Sequence, residues 1–88
     1  MVSIIENHAE IVGTLLAIAA APDRPGFVVL SVRVEESHPI GDWPNLFDRD
    51  VGTSIDILAR EGSDAAAAKL GPVRLRVKKG GPTTAFAE

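Results

Sequence analysis

Alternation of apolar and polar residues with a period of two is the dominant signal along the chain. From Phe27 to Glu36, Val28, Leu30, Val32 and Val34 alternate with Val29, Ser31, Arg33 and Glu35. That pattern predicts a strand with one buried face and one increasingly polar face. A second strand is predicted over Val73 to Lys79, with Val73, Leu75 and Val77 inward and Arg74, Arg76 and Lys78 outward. Thr53 to Arg60 predicts a third, with Ile55 and Ile57 inward and Asp56 outward, although Leu58 breaks the strict alternation. Thr83 to Ala87 reads as a short last strand anchored by Phe86.

Two segments carry helical signals. Ser63 to Leu70 has a capping serine, an acidic second residue and four alanines, and Gly71-Pro72 follows as a stop. It predicts a helix of about two turns, too short to persist unless the fold holds it. Ser3 to Ala21 supports two readings. As a helix it has a capping box at Ser3 and Glu6 and apolar residues near a 3.6-residue spacing. As a strand from Glu10 to Ala20 it puts Val12, Leu16 and Ile18 on one face, with Gly13 at a bulge or bend. The turn Pro22-Asp23-Arg24-Pro25-Gly26 then leads into the strand beginning at Phe27.

Taken as a strand, Glu10 to Ala20 gives the order strand, strand, strand, short helix, strand, strand. That order resembles the oligonucleotide/oligosaccharide-binding fold, the OB-fold. The resemblance covers about Glu10 to Glu88. It rests on Gly13 in the first strand, the Pro22–Gly26 connection, the helix at Ser63–Leu70 and the Gly80-Gly81-Pro82 turn. It implies an all-β protein: a five-stranded Greek-key barrel with one short helix between strands three and four. Closure also removes exposed sheet edges, a hazard in so small a protein. Taken as a helix, residues 3–21 imply instead an α+β domain, with that helix packed on a four-stranded antiparallel sheet.

Composition narrows the setting. With 88 residues the chain is read as one domain, residues 1–9 forming an N-terminal extension and 10–88 the barrel. It has no cysteine, so neither disulfides nor thiolate chemistry enter, and a cytoplasmic location is expected. The longest apolar run, Ile11 to Pro22, is too short to span a bilayer and lacks a preceding basic stretch, so a soluble protein without a signal peptide is expected. A net charge of −3 argues against indiscriminate nucleic-acid binding.

Candidate chemistry is sparse. The alternating Arg74, Arg76 and Lys78 read either as a phosphate-binding stripe or, more plainly, as a solvated strand face that discourages edge pairing. The OB-like resemblance implies a ligand face on strands two and three carrying Phe27, Val29, Ser31, Arg33, Asp56, Leu58 and Arg60. Its flanking loops would add Arg24, Lys78 and Lys79. Bases need aromatic platforms, and only Phe27 serves there, whereas Val29 and Leu58 suit a protein contact. The long connection Ser37 to Gly52 holds Trp43 and Phe47, which read as an aromatic binding loop or as a plug for the core. Asp42, Asp48 and Asp50 lack the spacing of a calcium loop and read as turn and cap residues. His8 and His38 are the only histidines, and neither sits in a recognisable catalytic motif.

The sequence therefore predicts a non-catalytic binding or protein-interaction module needing no metal or cofactor. Its partner is another protein or a second copy. The residues expected to make the contact are Phe27, Val29, Arg33, Leu58 and Arg60, with Trp43 and Phe47 if the loop opens outward. A weak single-stranded nucleic-acid binder using Arg24, Phe27, Arg33, Arg60, Lys78 and Lys79 is the alternative.

Overall fold

The structure is a computed structural model that describes residues 5–81 and 83–88. Five strands account for the fold: β1 (Ala9–Ala20), β2 (Phe27–Pro39), β3 (Ser54–Arg60), β4 (Gly71–Gly81) and β5 (Thr84–Ala87). β1 pairs antiparallel with both β2 and β4, β2 with β3, and β4 with β5. A parallel contact between β3 and β5 closes the ring in the order β1-β2-β3-β5-β4. The protein is all-β, and its closed five-stranded barrel is compatible with an OB-like one.

Residues 9–20 are extended, which overturns the helical alternative for residues 3–21 and with it the α+β architecture. Ser3, one half of the expected capping box, lies outside the described residues. Burial shows why the strand wins. Ala9, Ile11, Gly13 and Leu15 are all buried while the residues between them are not, a period of two and not of 3.6. An extended β1 also satisfies the backbone of two neighbours at once, which a helix cannot do. At Gly13 a Cβ atom would collide with the carbonyl oxygen of Arg33 on β2, so only glycine permits this approach. Register shifts at Val12/Gly13 and Leu15/Ala17 supply the extra coiling that lets one strand serve both sides of a closing sheet.

The interior is filled by the inward residues of every strand. Ile11, Leu15, Leu30, Val32, Val34, Ile57 and Val77 are fully buried, with Ala59 and Ala85 completing the layer. The last strand differs from expectation. Ala85 points inward and Phe86, the expected anchor, lies half-buried on the outside. The connection from β2 to β3 contributes Phe47, which has no exposed surface and belongs to the core. Its backbone N–H donates to Asn45 Oδ1 at 2.9 Å, and a 3-10 turn at Asp48–Asp50 follows.

The helix expected over Ser63–Leu70 is a single turn. Ser63 caps as predicted, its Oγ accepting from the Ala66 N–H at 3.2 Å, and one i→i−4 bond joins the Ala67 N–H to the Ser63 carbonyl at 3.1 Å. The turn stops there because Ala65, Ala66 and Ala68 pack on the core and Gly71, at φ +115°, already opens β4 opposite Leu15. Nucleation consumes most of what so few residues can gain from helical bonds.

The segment before β1 is tied in by Asn7. Its buried Nδ2 donates to the carbonyls of Ile5 and Lys79, each at 2.9 Å, and its Oδ1 accepts from the Lys79 N–H at 2.8 Å. The side chain thus behaves as one more strand residue beside β4. Asn7→Ala, which strands both polar groups of Lys79, should lower stability by about 1–3 kcal/mol, seen as an earlier urea midpoint at unchanged slope. Gly13→Ala should cost a similar ~1–3 kcal/mol through overpacking against Arg33, read in the same experiment.

Candidate functional site

Strand register builds the outer face row by row. Across β2 and β3, Phe27 faces Arg60, Val29 faces Leu58, Ser31 faces Asp56 and Arg33 faces Ser54. β5 extends the second row, since Leu58 faces Phe86, and β4 extends it again, since Phe86 faces Lys78. Val29, Leu58, Phe86 and Lys78 therefore form one continuous line across four strands. Three apolar side chains sit on the outside of the barrel with a lysine at the end.

Phe27 stands next to this line. Its ring meets that of Phe86 edge to face, with centroids 6.4 Å apart. Two guanidinium groups cover the pair: Arg24, from the β1–β2 turn, lies 5.3 Å from the Phe86 centroid, and Arg60 lies 5.8 Å from that of Phe27. Phe86 can lie flat here because Gly80 on β4 has no side chain; a Cβ there would sit 2.7 Å from the Phe86 ring. Two depressions lie on this face, and the Phe86 ring lines the larger. One of about 560 Å³ is bounded by Phe27, Arg60, Lys78, Gly80 and Glu88. The other, of about 210 Å³, is bounded by Arg24, Val29, Leu58 and Thr84. The centre is apolar, and the rim carries the cations Arg24, Arg60 and Lys78 beside the carboxylates of Asp56 and Glu88.

The structure gathers some of the expected residues and separates others. Phe27, Val29, Leu58, Arg60, Arg24 and Lys78 come together on this face. Arg33 shares the face but lies six residues along β2 from Phe27, roughly 20 Å away. Between them Ser31 donates to Asp56 at 3.2 Å. Phe47 leaves the candidate set because it is buried. Lys79 leaves it too, since its ammonium is 3.0 Å from Asp50 Oδ2 and 5.1 Å above the Phe47 ring. That carboxylate oxygen is shielded from solvent and the approach falls outside hydrogen-bonding angles, so the contact is an ion pair that braces the plug. Trp43 is 46% exposed but belongs to a different cluster. Phe86 is the functional candidate that the alternation pattern hides. Its place opposite the exposed Lys78 depends on the register irregularity at Lys79/Gly81, which the alternation pattern does not reveal.

Trp43 packs edge-on against His8, with centroids 4.9 Å apart. His8 Nδ1 is 2.7 Å from Glu88 Oε2 and its Nε2 is 3.3 Å from Glu6 Oε2. Both ring nitrogens face carboxylates, and only the imidazolium donates from both. Three acidic side chains elsewhere do not converge on a cation site: among the described residues no group of three or more His, Cys, Asp or Glu is placed to hold a metal. Asp48 instead accepts from Asn45 at 3.1 Å. No helix among the described residues is long and apolar enough to cross a membrane.

No family model matches the chain, and the comparisons with curated proteins and with solved structures found no match. The face must therefore be read from its own geometry.

The hydrogen bond that His8 donates to Glu88 raises its pKa above the ordinary 6.5, and Glu6 adds to this against the lowering effect of burial. A raised folded-state value means that the contribution to stability is complete below 6.5 and is lost as pH rises through the folded value. The melting temperature should fall over that window, and an NMR titration should place the His8 midpoint above 6.5. Glu88→Gln should return the midpoint toward 6.5 and flatten the fall.

Proposed function

We propose that the protein is a non-catalytic, OB-like binding barrel that works in the cytoplasm. Its outer β2–β3–β5 face receives a partner protein's segment, apolar at the centre and acidic at the flanks. The observation that carries this reading is the line Val29–Leu58–Phe86, in register on the solvent side of the barrel. Apolar side chains aligned outside a closed core gain nothing from the barrel itself, and an apolar centre is what protein contacts bury. Arg and aromatic residues around such a centre are the usual strong anchors of an interface. Arg24, Arg60 and Lys78 at the rim favour a partner with carboxylates opposite them. The strand order with a parallel β3–β5 closure supports the OB-like assignment, in which this is the ligand-bearing surface.

One observation favours a second reading, a single-stranded nucleic acid: the paired rings of Phe27 and Phe86 lie among three cations. The two readings make opposite demands on Leu58 and on salt. Panning a displayed peptide library on the whole protein should select apolar sequences flanked by Asp or Glu. Leu58→Asp should weaken the selected peptides at least about tenfold while Arg33→Ala leaves them nearly unchanged. Oligonucleotides titrated at two salt concentrations should bind feebly. Oligonucleotide binding that drops steeply with salt and disappears in Arg60→Ala, together with peptides indifferent to Leu58→Asp, would replace this reading with the second.

A further inference from the structure

β1 is covered unevenly. Its pairing with β2 runs to Ala20, opposite Val28, but its pairing with β4 ends at Leu15, opposite Gly71. From Leu16 to Ala20 one edge of the strand has no neighbour, and no backbone hydrogen bond from loops or turns reaches it among the described residues. All five of these residues are exposed, Leu16 by 50% and Ile18 by 39%. Sheet edges are ordinarily guarded by charge, proline or a bulge. No charged residue occurs from Ile11 to Pro22; the bulge at Leu15/Ala17 comes where the window opens and Pro22 lies beyond its end.

We infer that a second copy of this chain covers this edge, its Leu16–Ala20 segment running antiparallel to the first. The window itself points to that occupant. It is closed on one side by Gly71 and on the other by the turn at Pro22, and its midpoint is Ile18. A two-fold axis through Ile18, normal to the sheet, places Ile18 opposite its own copy, Ala17 opposite Ala19 and Leu16 opposite Ala20. Leu16 therefore meets a small residue, Ile18 meets its own copy, and no like charges are brought together. The same register carries the Ala21–Asp23 corner of each copy toward Lys69 and Leu70 of the other, the residues just before the Gly71 that ends the window. Leu70 is 64% exposed and gains an apolar cover, and Asp23 and Lys69 have opposite charge. This surface is distinct from the Phe27–Phe86 face, and an axis normal to the sheet leaves that face open on the same side of both copies.

The test is sedimentation velocity of the whole chain over roughly 10 μM to 1 mM, a range suited to a small interface. The expected result is a reversible shift from 9.3 kDa toward twice that mass. Ile18→Lys and Ile18→Glu should each remain monomeric, and mixing them in equal amounts should restore the dimer, because the axis sets the two charges face to face. Leu16→Lys should weaken association at least tenfold, and it decides the matter if the Ile18 variants melt early by circular dichroism. A wild-type chain that stays monomeric throughout overturns the inference. So does a dimer indifferent to Leu16→Lys and Ile18→Lys, or folded Ile18 variants that fail to pair when mixed.

Discussion

At Gly13 the backbone of β1 lies so close to the carbonyl of Arg33 that no Cβ fits between them, and the barrel closes around that approach. β1 is the strand shared by the two halves of the sheet, hydrogen-bonded to β2 along one edge and to β4 along the other. A strand in that position must coil strongly, and its two register shifts bracket the residues around the glycine. Without that coiling β4 could not be brought round to β5, nor β5 to β3. The interior packing and the outer rows both follow, because each inward side chain fixes its outward neighbour by alternation.

Closure sorts the chain into an apolar inside and an outside that is only partly polar. The outside of β2 and β3 passes from Arg33 and Ser54 at one end to Val29, Leu58 and Phe27 at the other. Phe86 joins the apolar end only because β5 is inserted between β3 and β4. The candidate face is thus a product of topology: four of its residues come from strands that are distant in sequence, and its two guanidinium groups come from a turn and a strand end. Next along β4, Lys79 and Asp50 brace Phe47, and Asn7 holds the entering chain to β4.

Much of this was legible in the sequence. Strict alternation located β2 and β4 to within a few residues, although β2 continues to Pro39 because Ala9 provides a partner there. β1 was ambiguous in isolation, since Ile11, Val12, Leu15 and Ile18 suit a helical spacing while Val12, Leu16 and Ile18 suit a strand, and the order of the remaining elements decided it. The helix at Ser63–Leu70 was overread: alanine propensity is a weak preference, and docking three alanines on the core halted the coil after one turn. Trp43 and Phe47 could not be separated by pattern because they lie in one irregular loop; only the Asn45 bond that turns Phe47 inward distinguishes them. Phe86 was misplaced for a simple reason. In Thr-Ala-Phe-Ala the larger residue looks like the buried one, but the cross-strand partner, Lys78, dictates the face.

The parallel stitch between β3 and β5 rests on two residue pairs, Ile57 with Ala85 and Leu58 with Phe86. It is the shallowest seam in the ring, held by a strand of four residues. Phe86 stands on this seam with its ring spread toward β2 and β4. Anything that settles over it therefore bridges both lips of the barrel's thinnest joint. Occupancy would be felt as slower amide exchange in β5 and along the whole closure, so that recognition and mechanical integrity become a single property of the molecule.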